Sequence, residues 1–415
     1  MFTNAMDPLL TGPPSRFREA QARGERLGRH LKRRGKVLDI DEALLSRIGR
    51  AFGERDELGH TLANAIRTRD VSMAMFRTAL EKGIDAVPDA PAVLRAFFDE
   101  VTTVPTWVNF DLVNEGGRVL SRLGQNAADV LLQLSLIGSY RFGGPTDLLV
   151  ATGGLTGSST RRWLAETQKW TFSLTFHDAM RPPTAGTQGG EGWRLTVHVR
   201  AMHALVNASF ESRWDTARWG LPINQADQAG TLGLFDGVLI IACRAMGVRI
   251  TDDEARALMH LWRWTGHLMG VHADFLTDDE WERHQQNYHV LLAQSGISEA
   301  GPQLAQAILK AQRMRHYPGW PGALQSLRAW YEKERMLGML TLFLGIASMQ
   351  DLGLPIRPPW PFVYILPLNM LRYYVLGRTA WGRRRLAAWG QRTTERILES
   401  YFVGEAAGIG PLNEA

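Results

Sequence analysis

The sequence predicts an all-α protein, and three observations carry that reading. Apolar residues recur at spacings of three and four along most of the chain, the period of one helical face. Strict alternation of apolar and polar residues, the mark of a half-buried strand, is scarce. Turn chemistry punctuates the helical runs, with 41 Gly and 19 Pro in 415 residues. A hydrophobic content of 45% is enough for a sizeable core.

The segments follow in order. Residues 1–40 are polar, and Arg16 to Lys36 is dense in Arg and Lys, which predicts a solvated basic helix or arm, with contact to an anionic surface as the second reading. From residue 41 onward a single helical domain is expected to about residue 400, followed by a short tail over 401–415. Asp39 and Asp41 are candidate N-caps, and Pro88, Pro91 and Pro105 break the helical patterns that follow. Ala127 to Ser139 reads as an apolar helix ended by Gly143-Gly144-Pro145. Thr160 to Phe176 is a second helix, and His177 to Gly192 lacks an apolar period and reads as a loop. Trp193 to Trp214, Gly230 to Met246 and Asp252 to His272 are three more helices.

Two apolar stretches near the C-terminus invite a membrane test. Met336 to Met349 is too short to span a bilayer, and Pro361, Pro367, Asn369 and Arg372 interrupt Pro359 to Gly377. Neither is expected to cross a membrane. A buried C-terminal helix pair is the preferred reading. Peripheral contact with a membrane or a hydrophobic polymer surface is the second, because Arg378, Arg383, Arg384 and Arg385 follow directly.

Composition also excludes. A net charge of +5 is modest for this length and gives no reason to expect nucleic acid. The one cysteine, Cys243, lies in an apolar run and permits no intramolecular disulfide. No Cys-x-x-Cys-His is present, which rules out covalent c-type haem attachment, and thiolate zinc clusters are excluded too. Met1 to Pro14 lacks a basic region followed by an apolar one, so the chain as written is expected in the cytoplasm, or exported if a leader has been removed.

The candidate chemistry centres on His203. On a helix, Arg200, His203 and Asn207 fall at i, i+3 and i+7 and share a face among small and apolar neighbours. A neutral imidazole there, one turn from a guanidinium, suits a haem iron and a propionate together. The competing reading is a core histidine with satisfied hydrogen bonds, and spacing alone favours it. His198, five residues earlier, lies about 140° around the helix and cannot comfortably share an iron with His203.

The surrounding words shift the balance. They are Arg161-Arg162-Trp163-Leu164-Ala165-Glu166-Thr167, Gly192-Trp193 through Val199-Arg200-Ala201-Met202-His203-Ala204, Asn224-Gln225-Ala226-Asp227-Gln228-Ala229-Gly230-Thr231-Leu232, and Leu261-Trp262-Arg263 through Gly266-His267 to Gly270-Val271. Four such elements in this order, over about residues 120 to 375, resemble the latex clearing protein and MpaB-type oxygenase superfamily. The resemblance implies a globin-like helical core, with additional N- and C-terminal helices, holding one b-type haem with His203 as the axial iron ligand. It also implies molecular oxygen as co-substrate and oxidative cleavage of a carbon–carbon double bond in polyisoprene or a similar apolar alkene. An MpaB-type oxidase of terpenoid side chains, a gas-binding or gas-sensing haem protein without turnover, and a helical protein with no cofactor are the alternatives.

Further residues take roles on this reading. His267 is a second ligand, a distal-pocket group or a core residue, and Arg263 stands beside it as a cofactor contact. Arg200 pairs with a propionate or orients a distal group, and Asn207 shares its face. Arg162 and Thr167 match an Arg…Thr helix that packs over the haem, where the threonine hydroxyl meets oxygen or bonds back to its own helix. Asp147 and Glu166 are candidate bases for an allylic proton. Two departures stand out: Asn207 replaces an arginine of the rubber-cleaving pattern, and Glu166 replaces a lysine that caps the iron, leaving Lys169 as the nearby lysine.

Overall fold

A computed structural model describes residues 12–153, 158–184 and 186–402. Twenty α-helices account for most of these, and no strand occurs among the described residues, only an isolated bridge between Thr184 and Thr187. The all-α expectation holds. The tail beyond residue 402 lies outside the described residues.

Small residues decide how closely the helices approach. Phe110–Leu123 packs along Asp252–Leu268, and a Cβ on Gly116 would lie 2.3 Å from the Ala257 carbonyl oxygen. Only glycine permits that contact. Thr251 and Glu254 form a capping box at the start of the second helix, and Glu254 also takes Arg122 at 2.6 Å. The pair is thereby fixed in register, and it carries Trp262 and Trp264 into the core, with His267 partly covered beyond them.

Two apolar clusters fill the interior. The larger gathers Phe97, Phe98, Trp193, Trp262 and Trp264. The smaller lies toward the C-terminus and includes Tyr140, Ile308, Leu337, Leu340 and Leu398. Leu134 and Phe343 pack against both clusters.

The structure departs from the sequence reading in four places. The basic N-terminal segment is helical with Arg26, Arg29, Arg33 and Arg34 exposed, but it is anchored where a fully solvated segment was expected: Arg16 is fully buried, donates to the Gly143 carbonyl at 3.2 Å and pairs with Asp227. Helix Gln21–Leu27 lies against Glu280–Ala293, where a Cβ on Gly24 would lie 2.3 Å from the Leu291 oxygen. Gly230 to Met246 is two helices, Gln225–Phe235 and Gly237–Ala245, broken at Asp236, whose carboxylate accepts from Gly237 N and pairs with Arg283 at 2.8 Å. These two helices form the one stretch of described residues long and apolar enough to cross a bilayer, and it is mostly buried as core. Ala127 to Ser139 begins as Gln125–Val130 and widens into a π-helix at Leu131–Ile137. Finally, the C-terminal helix pair is buried on one side only: Val363, Met370, Leu371 and Val375 are exposed.

Candidate functional site

The His203 helix runs Glu191–Phe210, starting and ending a few residues before the expected bounds. Trp193 anchors its first turn, fully buried with Nε1 donating to the Val101 carbonyl at 3.0 Å. Further along, Ala204 faces Gly59 of helix Glu57–Arg67, and a Cβ on Gly59 would lie 3.2 Å from that of Ala204. Helix Ser158–Ser173 crosses the first half, with Trp170 Nε1 donating to Thr196 Oγ1 at 3.0 Å and Lys169 Nζ to Glu191 at 2.7 Å.

These neighbours cover the helix unevenly. Thr196, Val197, Arg200, Ala204 and Asn207 are buried. Leu195, Val199, Met202 and Val206 share an adjacent face at helical spacing and are only partly covered. His203 stands on the border between the two faces.

The His203 imidazole makes no hydrogen bond to any described residue, and its Nδ1 is buried without a partner. Burial pushes its pKa down to about 4, against the opposing pull of the Asp56 carboxylate, so the ring is neutral at pH 7. A core histidine held for structure would have its nitrogens satisfied. A neutral, unbonded imidazole beside an incompletely covered apolar face is a donor arranged for something else, and the donor type fits a haem iron.

Arg200 lies one turn away and is engaged through two of its three nitrogens. Its guanidinium donates to Asp56 through Nε at 2.7 Å and Nη2 at 2.8 Å, pairs with Glu100 at 2.7 Å and stands 5.1 Å from the Phe97 ring centroid. Burial opposes its charge, but Asp56 and Glu100 outweigh burial and hold its pKa above the ordinary arginine value. Nη1 is buried with no hydrogen-bond partner. The expected propionate contact has that one nitrogen left to make it. Asp56 also caps helix Glu57–Arg67 by accepting from Gly59 N at 3.1 Å, so one carboxylate ties two helices together.

The remaining candidates fall into two groups. Asn207 is buried, and its Oδ1 accepts from Ile223 N at 2.9 Å, holding the Leu-Pro-Ile-Asn turn to the His203 helix. His267 stacks on Trp264 with centroids 5.4 Å apart and meets the edge of Trp107 at 6.0 Å; burial lowers its pKa, while Glu100 raises it and Arg200 lowers it further. Arg263 covers Trp107 at 4.1 Å and pairs with Asp278 at 3.2 Å. These residues, with Arg200 and His203, are gathered by the His203 and Asp252–Leu268 helices.

Five others are held by partners of their own. Arg162 is exposed and pairs with Glu166 at 2.9 Å, one helical turn on. The Thr167 hydroxyl donates to its own helix at the Trp163 carbonyl, 3.0 Å away. Lys169 is held by Glu191, as described above. Asp147 accepts from Gly144 N at 2.9 Å as the cap of helix Pro145–Ala151.

Sequence reasoning passed over Asp56, Glu100 and Phe97, whose only signal was membership of amphipathic helical segments. It also gave no role to the cluster of Trp170, Phe235 and Trp262, in which the Phe235 and Trp262 rings lie 5.0 Å apart and the Trp262 Nε1 is buried without an acceptor.

Known proteins bear on this arrangement. The rubber oxygenase of Streptomyces sp. (strain K30) is 21% identical over 188 residues, 45% of this chain and 45% of that protein, so the match spans under half of the relative's length. A solved structure of the latex clearing protein LCP in the closed state aligns with 84% of this chain and 89% of its own, with a TM-score of 0.59 and 17% identity, which shows a shared helical fold. The family model described as ER-bound oxygenase mpaB/B'/Rubber oxygenase, catalytic domain, matches residues 116–366 and so takes in His203, Arg200, Asn207, Arg263 and His267. With more than half of its length inside that match, the chain belongs to the MpaB and rubber oxygenase catalytic-domain family.

Proposed function

We propose that this protein is a b-type haem-dependent dioxygenase that cleaves carbon–carbon double bonds of polyisoprene or a similarly apolar alkene. The observation that carries the reading is the state of His203: neutral at pH 7, unbonded through both ring nitrogens, and beside an incompletely covered apolar face in a chain of an oxygenase family.

The residues divide the work. His203 would supply the nitrogen that holds the iron, and the buried unpartnered Nη1 of Arg200 would meet an acidic edge of the cofactor. Haem, when bound, supplies the redox chemistry that adds both atoms of dioxygen across a double bond, leaving two carbonyl groups in place of one alkene. Val199, Met202 and Val206 would bind an apolar chain through area removed from water. Thr167 must release the Trp163 carbonyl before its hydroxyl can donate to oxygen. Glu166 would have to part from Arg162, and Asp147 from Gly144, before either could take a proton.

The test begins with the absorption spectrum of the purified protein, with and without dithionite, and extraction into acid acetone. A Soret band and an extractable pigment are expected. A colourless protein that cannot take up hemin would overturn the proposal. With haem loaded, incubation with latex in air should consume oxygen and give carbonyl-ended oligomers trapped as hydrazones. A loaded, reducible protein that gives none would move the substrate to a terpenoid side chain or the activity to gas binding.

A further inference from the structure

The C-terminal third carries a surface that the proposed chemistry does not use. Helix Phe362–Asn369 continues through a π-turn at Met370–Val375 and a 3-10 turn at Leu376–Arg378. One stripe holds it to the body: Phe362, Ile365, Asn369, Tyr373 and Gly377 are buried. Asn369 donates to Asn126 at 2.8 Å and to the Met246 carbonyl at 2.9 Å, and Tyr373 to the Arg122 carbonyl at 2.6 Å.

The opposite side faces outward and is apolar. Val363 is 80% exposed, Val375 58%, and Met370 and Leu371 55% each, with Leu366 and Leu368 between them. A surface helix in water normally turns a polar face outward; a helix apolar all round is covered by something.

Charge identifies the cover. Between Leu352 and Thr394 the sequence has seven arginines and no acidic residue. Arg378, Arg384 and Arg385 are exposed and have no carboxylate partner among the described residues. Trp381, 54% exposed, lies under Arg385 with the guanidinium 4.7 Å from the ring centroid. Exposed apolar side chains followed along the chain by an exposed tryptophan and exposed arginines, in a stretch without an acidic residue, are the composition that seats on an anionic bilayer. A second copy of the same face would bring arginines against arginines. An uncharged hydrocarbon surface would give the arginines nothing to pair with.

We infer that the outward face of residues 362–385 is a peripheral docking surface for anionic phospholipid bilayers, with Val363, Leu371 and Val375 entering the acyl boundary and Arg378, Arg384 and Arg385 meeting the headgroups. The surface seats the protein on the membrane through these side chains.

Flotation of the full chain with vesicles tests this. Vesicles of phosphatidylcholine with phosphatidylserine should carry the protein, and phosphatidylcholine alone should not. High salt should weaken the binding by screening. Combined Arg378→Gln, Arg384→Gln and Arg385→Gln should weaken it by about a hundredfold, at roughly fivefold for each arginine. Val363→Asp with Leu371→Asp should abolish it while the far-ultraviolet circular dichroism stays native, since both positions are exposed. Failure to float with anionic vesicles, or equal binding to both vesicle types, would overturn the proposal. So would a homodimer in light scattering that Val363→Asp dissociates, which would assign the face to a second copy, or adhesion to bare polyisoprene that ignores the arginine substitutions.

Discussion

Arg200 grips Asp56 with two nitrogens, at 2.7 and 2.8 Å, and so fastens the His203 helix to the capped end of helix Glu57–Arg67. The two residues are 144 positions apart in sequence. Removing one partner of a buried pair leaves the other charged without compensation. Asp56→Ala also removes the cap on Gly59 N. The expected loss is about 3–5 kcal/mol, read from urea unfolding. A change under about 1 kcal/mol would mean that Glu100 alone satisfies Arg200.

His203→Ala should separate cofactor binding from folding. The ring makes no hydrogen bond, so its removal is expected to cost the apoprotein less than about 2 kcal/mol. Haem uptake and the Soret band should be lost. His267→Ala should keep haem, because that ring is stacked on Trp264 and set edge-on to Trp107 rather than left open. The reverse pattern in the two spectra would name His267 as the ligand.

Lys169 bears on the resting state. Its Nζ is held by Glu191 at 2.7 Å. The ferric protein should therefore be five-coordinate or water-ligated, and Lys169→Ala should leave its visible spectrum unchanged. A six-coordinate, low-spin spectrum that Lys169→Ala converts to high spin would show that the lysine reaches the iron.

His260 sets a pH dependence. Its Nε2 accepts from Asn109 N at 2.9 Å, which places the ring proton on Nδ1, 3.2 Å from Asp278. Burial lowers its pKa below the ordinary 6.5, and Asp278 only partly restores it. The folded state therefore favours the neutral ring. The stability this contributes is full above pH 6.5 and is lost as pH falls toward the lowered folded value. Melting temperature should drop between pH 7.5 and 5.5, and the drop should be smaller in His260→Gln. An equal drop in both proteins would place the titration elsewhere.

Much of the fold was legible because a helical period needs only local information. Glu191–Phe210 and Asp252–Leu268 emerged near their expected positions. The break at Asp236 was hidden because it depends on Arg283, a partner from another helix. The π-turn at Leu131–Ile137 was hidden because a shift in hydrogen-bond register leaves the apolar count unchanged. In the site, His203, Arg200 and Asn207 were legible as one face of one helix. Asp56, Glu100 and Phe97 were not, since a lone acid or phenylalanine carries no spacing that points across 144 residues. The apolar stretch from Pro359 to Gly377 was legible, with peripheral contact as its second reading, but which side of it is covered was not, because hydrophobicity alone does not say.

Leu134 and Phe343 touch both apolar clusters, and this makes the two halves thermally interdependent. Neither cluster can open without exposing these side chains to water or pulling them from the other. Heating should therefore produce one cooperative transition rather than two. Amides of the C-terminal helix Ala380–Phe402 should exchange with solvent on the same schedule as those around Trp193. A lesion far from His203, such as Phe343→Ala, would then lower the working temperature of the whole molecule without touching the site.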